Sequence, residues 1–259
     1  MESVVIIGSG NVAEALARAI RASSSYTLVQ IVARNVERGE YLASMCNCAF
    51  TNELSGVEVA DVYLIAVSDS AIGEVARSIN FGNGVVAHTA GSVDIDVLGE
   101  SVAEKAVFYP LQSFTAGIDV DFRKIPLLIE GATPRAMATI GKLARELSAS
   151  VHEVLSPRRA AIHLAAVFAG NFTNYMYIVA EELLGSNGFD FQIIKPLVEE
   201  CARKALTSQS PRLTQTGPAS RGDVTTQRLH LRMLGGKRHL RKMYKLISTN
   251  IWETLRKRS

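Results

Sequence analysis

The hydrophobic pattern changes once along this chain. Up to about Val154, short continuous apolar runs alternate with segments in which apolar residues recur every three or four positions. Ser3–Ile7, Thr27–Ala33, Asp61–Val67 and Gly84–His88 read as strands buried on both faces, with weaker ones near Ala106–Phe108, Leu127–Glu130 and Val151–Val154. Between them lie helical patterns. Val12, Ala15, Leu16, Ala19 and Ile20 share one face, and further helices are expected near Val36–Met45, Ser70–Ile79 and from Thr133-Pro134 to Leu147, with Pro134 in a tolerated first-turn position. This alternation predicts an α/β fold with a doubly wound parallel sheet. Beyond Ser156-Pro157 no strand pattern remains. One long helix is expected over Arg158–Leu184, a second from Phe191 to Thr207, a loop over Ser208–Gly222, and helices near Val224–Leu234 and Lys237–Leu255. Two domains are therefore expected, residues 1–156 and an all-helical 157–259.

The junction of the first strand and first helix carries chemistry. Gly8-Ser9-Gly10-Asn11-Val12-Ala13 has the Gly-x-Gly-x-x-Gly/Ala form of a Rossmann-type dinucleotide turn, in the strand–turn–helix context the motif requires. Gly8 permits the tight turn, Gly10 lets backbone approach a pyrophosphate, and Ala13 allows close helix–strand packing; the helix N-terminus supplies free N–H donors. An NAD site places an acid at the end of the second strand, but here the strand ends Ala33-Arg34-Asn35. Arg34 can pair with a 2′-phosphate and Asn35 can donate to it, so NADP is the expected cofactor. The missing acid also argues against a methyltransferase.

Composition narrows the setting. A hydrophobic content of 47% with 20% charged residues is ordinary for a globular protein. No apolar stretch approaches the roughly 20 residues that cross a bilayer, and the start Met1-Glu2-Ser3 does not read as a secretory signal. Cys46, Cys48 and Cys201 make neither a disulfide framework nor a zinc site, which points to a reducing cytoplasm and no metal. The net charge of +3 is unevenly placed: after Asp223 the only acid is Glu253, against basic residues from Arg228 to Lys257 and Arg258. This is either an anion-binding surface or the solvated face of terminal helices. Nucleic acid is not expected, because interleaved aromatics and a recognised motif are lacking.

Several segments together resemble known reductases. The glycine turn and Ala60-Asp61-Val62-Tyr63-Leu64-Ile65-Ala66-Val67-Ser68-Asp69-Ser70-Ala71-Ile72 resemble pyrroline-5-carboxylate reductases, ketopantoate reductases and deazaflavin-dependent NADP reductases. These belong to the superfamily whose helical domain is related to that of 6-phosphogluconate dehydrogenase. His88-Thr89-Ala90-Gly91-Ser92, Tyr109-Pro110-Leu111-Gln112-Ser113-Phe114, Ala169-Gly170-Asn171-Phe172-Thr173-Asn174 and Thr216 through Asp223 more closely resemble a bacterial family. That family joins a Rossmann-like domain to a helical domain of unknown function and is labelled NADP oxidoreductase. The resemblance implies that Val67-Ser68-Asp69 passes the nicotinamide ribose, and that His88-Thr89 lies beside the nicotinamide. It also shows a departure. Hydroxyacid dehydrogenases of the superfamily carry a lysine one turn before an asparagine; if Asn174 matches that asparagine, the lysine position is Gly170, and no lysine occurs from Arg158 to Leu184.

The long helix still carries polar groups. His163, Val167, Gly170, Asn171, Asn174 and Ile178 fall on one stripe at a spacing of about 3.6 residues. Asn171 and Asn174 can hydrogen-bond a substrate or satisfy a helix or subunit contact, and His163 can act as acid or base or be structural. His88 carries the same pair of readings. Asp223 reads first as a cap of the helix beginning at Val224. The expected function is NADP-dependent reduction of a small carbonyl or imine substrate; the alternative is a non-catalytic NADP-binding sensor or scaffold. A homodimer built by the helical domain is expected from the small residues Ala165, Ala166, Ala169 and Gly170.

Overall fold

The computed structural model describes residues 1–256. Eight strands form one sheet: β1 (Glu2–Ile7), β2 (Tyr26–Val32), β3 (Ala49–Thr51), β4 (Val62–Ile65), β5 (Val85–His88), β6 (Lys105–Pro110), β7 (Leu127–Gly131) and β8 (Val151–Glu153). Their spatial order is β3-β2-β1-β4-β5-β6-β7-β8. The order reverses between β1 and β4, where crossovers leave in opposite directions and a crevice opens at the strand C-termini. Register aligns those ends. Ile7 pairs with Ile65, Ile65 with His88, and His88 with Val107, so Gly8, Ala66 and Thr89 start a common ledge.

Both faces of the sheet are covered, as the continuous apolar runs require. Val4 and Ile6 point into one layer with Leu16 and Ile20 of α1 (Asn11–Arg21), Leu42 of α2 (Val36–Cys46) and Ile140 of α4 (Pro134–Leu147). Val5 and Ile7 point into the other, with Tyr63 and with Ile72 of α3 (Ile72–Ser78). Each of these fully buried aliphatic side chains contributes about 1.5–3 kcal/mol relative to exposure.

One pairing departs from an all-parallel sheet. β7 runs antiparallel to β6, with Phe108 opposite Ile129. The reason lies in the connection. Residues 111–126 hold no α-helix, only a short turn at Phe122–Lys124, and a parallel neighbour needs a longer crossover. β8 follows β7 in parallel, so these two strands run against the other six. At the opposite edge β3, a three-residue strand, pairs parallel with β2 after a left-handed Asn47 ends α2.

The long helix is not uniform. α5 (Ser156–Ala166) passes into a π-helical turn, Val167–Phe172, before α6 (Thr173–Gly185). A π turn bonds i to i+5, so residues beyond it are rotated from the phase a 3.6-residue period assigns. The expected single stripe from His163 to Ile178 is therefore broken at Gly170 and Asn171.

The chain separates into two compact units, Met1–Tyr177 and Ile178 onward, so α5 groups with the sheet. The sequence pattern itself changes earlier, at Ser156. In the second unit α7 (Lys195–Thr207), α8 (Val224–Met233) and α9 (Arg238–Arg256) follow. Asp223 caps α8, its carboxylate accepting from the Thr226 N–H at 3.0 Å and the Thr226 hydroxyl at 2.7 Å. Lys257 and Arg258 of the basic segment lie outside the described residues, and among those described no helix is long and apolar enough to cross a membrane.

Candidate functional site

A groove of about 670 Å3 lies along the strand C-termini, a volume in the range of small-molecule and cofactor sites. Gly8, Ser9, Gly10, Asn11 and Val12 form its centre. Arg34 and Asn35 line one end; Val67, Ser68, Asp69 and Thr89 line the other, with Ala90, Gln112 and Phe114. The structure thus brings eleven of the thirteen residues expected at the cofactor to one groove. Ala13 and His88 are not among its lining residues.

The two glycines of the turn differ physically. Gly8 has φ +132°, and a Cβ there would lie 2.7 Å from the Ala66 carbonyl carbon and closer still to its oxygen, so the backbone just past β4 demands glycine. At Gly10 a Cβ would meet nothing within 4 Å. Its backbone is extended, no side chain caps α1, and the first-turn N–H groups stay directed at this space. A glycine that the protein does not need, at an uncapped helix N-terminus, leaves a cradle fitted to an anion. Ala13 is fully buried beneath it, in the packing role its size predicts.

Charge around the turn is balanced. The Glu14 carboxylate is buried; burial alone would raise its pKa, but the Arg18 and Arg38 guanidiniums outweigh that and hold it below the usual range. Arg18 Nη2 lies 2.8 Å from it, Arg38 pairs with its other oxygen, and Arg38 Nε donates to the Ser9 carbonyl at 3.3 Å. A negative side chain one turn into α1 therefore does not repel an anion at the cradle. Arg34 is exposed at the groove wall. Asn35 caps α2 by accepting from the Arg38 N–H at 3.0 Å, which leaves its amide donors unengaged. Asn11 donates to the Phe114 carbonyl at 3.0 Å and so ties the turn to the loop after β6.

The far end is organised by buried polar contacts. His88 is fully buried with Nδ1 accepting from the Ala90 N–H at 3.2 Å and Nε2 unpartnered. Burial, with the nearby Arg159 guanidinium, pushes it down to about 4, so it stands neutral below the ledge. Thr89 bonds the Ile65 carbonyl through its N–H at 3.1 Å. Arg159 of α5 is completely buried, pairs with Glu130 of β7 and donates to the Val93 carbonyl. Ser156 completes this hub, donating to Glu130 at 2.6 Å and accepting from the Ile95 N–H at 3.1 Å. The segment 89–95 is thereby clamped to the start of α5.

That clamp sets a pair of polar rings beside the groove. The Tyr109 hydroxyl of β6 and His163 Nδ1 of α5 lie 2.9 Å apart. Tyr109 did not stand out in the sequence as a reactive group; only the strand order and the bent path of segment 89–95 bring it to His163. Asn171 and Asn174 are exposed, do not line the groove, and their amides have no hydrogen-bond partner among the described residues. A second hollow of about 660 Å3 lies between α1 and the 114–123 loop. It is lined by charges of both signs, Glu14, Arg18, Asp119 and Arg123 among them, and lacks the glycine cradle. Among the described residues no cluster of His, Cys, Asp or Glu is arranged to hold a metal ion.

Comparison with known proteins agrees with this geometry. Residues 3–93 match the family described as NADP oxidoreductase, coenzyme F420-dependent, and residues 125–251 match a domain of unknown function, DUF2520. No curated protein matches the chain. Among solved structures, a Bacteroides fragilis protein provisionally named an NADP oxidoreductase is 36% identical, with 97% of this chain and 98% of that one covered and a TM-score of 0.92. A pyrroline-5-carboxylate reductase from Coxiella burnetii shares the fold at 17% identity, with 98% of each chain covered and a TM-score of 0.55. An imine reductase from a Pseudomonas species does so at 15% identity, with 90% of this chain and 86% of that one covered and a TM-score of 0.61. The chain belongs to the family that joins an NADP oxidoreductase domain of the coenzyme F420-dependent type to the helical DUF2520 domain.

Proposed function

We propose that the protein is an NADP-dependent oxidoreductase that reduces a small carbonyl or imine substrate with NADPH. The cradle at Gly10 carries this reading: open space at an uncapped helix N-terminus, continuous with a groove that runs to Arg34 on one side and Thr89 on the other. The turn Gly8–Ala13 would hold the pyrophosphate, Arg34 and Asn35 the 2′-phosphate, and Ser68, Asp69 and Thr89 the nicotinamide half. NADPH supplies the hydride when bound, and the chain supplies binding and orientation. The names of the fold relatives, pyrroline-5-carboxylate reductase and imine reductase, favour the C=N side of that class. Asn171 and Asn174, unbonded on the helix that carries His163, are assigned to substrate contact, so Asn174→Ala should spare NADP affinity and depress turnover. The test is fluorescence titration with NADPH and NADH, followed by nicotinamide absorbance with a panel of cyclic imines, small aldehydes and ketones. Tight NADPH binding with no consumption across the panel favours the sensor or scaffold reading.

The working form is a homodimer assembled through the helices. Among the described residues of the second unit, Ala219 and Leu240 are the buried hydrophobics, whereas Leu206 and Met233 are 86% and 75% exposed. Phe168, Phe172 and Tyr175 of the long helix are exposed as well. Apolar surface on this scale marks an association face, and a second copy meets it symmetrically. Light scattering giving a monomer at micromolar concentration refutes this. The free thiols Cys46, Cys48 and Cys201 suit a reducing cytoplasm.

A further inference from the structure

Hydride transfer to a C=O or C=N carbon leaves an electron pair that must take up a proton, so the site needs a donor beside the nicotinamide half of the groove. The groove-lining residues at that end offer Ser68, Thr89, Gln112 and the carboxylate of Asp69. The neutral ones, aliphatic hydroxyls and an amide, are far weaker acids than a phenol. One residue beyond the groove-lining Ala90 stands Gly91, and its surroundings are unusual. A Cβ on Gly91 would lie 2.7 Å from Tyr109 Cζ and 2.5 Å from His163 Nδ1. A side chain here would push the two rings aside, so glycine lets a Tyr–His pair close against the ledge. Register explains how Tyr109 arrives: Val107 pairs with His88, and Tyr109, two residues on, stands past the end of β5. The Arg159–Glu130–Ser156 hub fixes α5 and hence His163.

We propose, resting on the reading of NADPH-dependent reduction above, that Tyr109 is the proton donor to the substrate and that His163 returns a proton to Tyr109. The electrons and protons balance as follows. As hydride reaches the substrate carbon from NADPH, the Tyr109 O–H bond breaks and a new O–H or N–H bond forms on the substrate heteroatom. The phenolate oxygen then takes the proton of His163 Nδ1, 2.9 Å away, as Nε2 of the same ring takes one from solvent. Half-buried His163 is restored by solvent. NADPH is oxidised to NADP, the substrate is reduced, and one solvent proton is consumed. The surroundings suit a donor that stays loaded: burial, and the Asp69 carboxylate held by Ser92 at 3.0 Å, raise the Tyr109 pKa above its ordinary value. His163 is needed because the phenolate left after transfer is half-buried, and the imidazole 2.9 Å away is the neighbour that can pass it a proton.

The alternative is that the Tyr109–His163 bond only ties β6 to α5, and the test separates the two without relying on turnover. Full-length protein with labelled histidine carries five imidazole signals, and His163→Gln identifies that of His163. NADP, which carries the nicotinamide, should shift the His163 signal; adenosine 2′,5′-bisphosphate, which lacks it, should bind and leave the signal in place. If both ligands bind and neither moves His163, the inference is overturned while the cofactor reading stands. If neither binds, the cofactor reading itself fails. In turnover of any panel substrate, Tyr109→Phe should lower kcat at least about 100-fold, with NADP affinity and melting temperature unchanged. His163→Gln should lower kcat less and alter its pH profile. Native kcat in Tyr109→Phe overturns the inference.

Discussion

Replacing the two turn glycines by alanine, one at a time, separates folding from binding. At Gly8 a side chain meets two penalties. With φ +132° an L-residue is strained by about 1–3 kcal/mol. Its Cβ is also driven into the Ala66 carbonyl, where overpacking costs about 1–3 kcal/mol more. A loss of about 2–6 kcal/mol lowers the melting temperature of a unit this size by roughly 5–20 °C. Gly10 sits at φ −76° and ψ −176°, a region alanine adopts freely, with open space around it. Alanine restricts the unfolded chain, a gain of about 0.4–1 kcal/mol, and caps a helix less well than glycine, a loss of similar size. Gly10→Ala should therefore melt within a degree or two of the native protein. It should nevertheless weaken NADP binding at least about tenfold, or about 1.4 kcal/mol, because the methyl group occupies the pyrophosphate cradle. Thermal melts followed by circular dichroism and a fluorescence titration with NADPH give both numbers. A Gly10→Ala protein that melts as early as Gly8→Ala, or that binds NADPH like the native protein, refutes the reasoning.

The same geometry fixes three other outcomes. Arg34→Asp should abolish preference for NADP over NADH while leaving NADH binding intact; titrating both cofactors against both proteins decides it, and an unmodified protein with equal affinities contradicts the role of Arg34. His88 is pushed down to about 4 from an ordinary 6.5 by burial and by Arg159, so between those values the unfolded chain binds the extra proton. Stability should fall as pH drops through that window, by about 3 kcal/mol in all. Urea unfolding at pH 7 and pH 4.5 should show that fall, and His88→Gln should flatten it. Arg159→Met leaves the Glu130 carboxylate buried without its partner and should cost about 3–5 kcal/mol, whereas Arg159→Met with Glu130→Leu should recover most of it. A single variant as stable as the native protein removes the hub from the account.

How much of this was legible before the structure depends on the range of the interaction involved. Strands β1, β2, β4 and β5 lie under long β-branched runs, and α4 begins at Pro134 and ends at Leu147, where the sequence placed it. Those signals are local. The direction of β7 is not local: its apolar run is compatible with either orientation, and only the missing helix in residues 111–126 selects the antiparallel one. β3 escaped notice because three residues, Ala49 to Thr51, are too few for any period to show. The π turn escaped for a related reason. A period search assumes a constant advance per residue, and Val167–Phe172 changes that advance inside an otherwise continuous helix.

The site divides along the same line. Gly8 to Val12 and Arg34-Asn35 belong to one strand–turn–helix unit and to the end of its neighbour, so a motif and a strand count were enough to place them. His88 had the right position and the wrong direction. It is the last residue of β5, where side chains alternate between faces, and its ring turns beneath the ledge while Thr89 reaches the groove. Tyr109 lay in plain view inside Tyr109-Pro110-Leu111-Gln112 yet suggested nothing, since a tyrosine on a buried strand has no distinguishing spacing. What singles it out is the meeting of β6 with two remote segments: a glycine at 91 on which a methyl group would push into both rings, and helix α5, which brings a histidine 54 residues downstream to 2.9 Å and a salt-bridged arginine that ties the two segments together. A sequence pattern records which residues recur at fixed separations along one element. A proton donor for a bound ring is defined by what stands across from it, and that becomes readable only once the strand order is known.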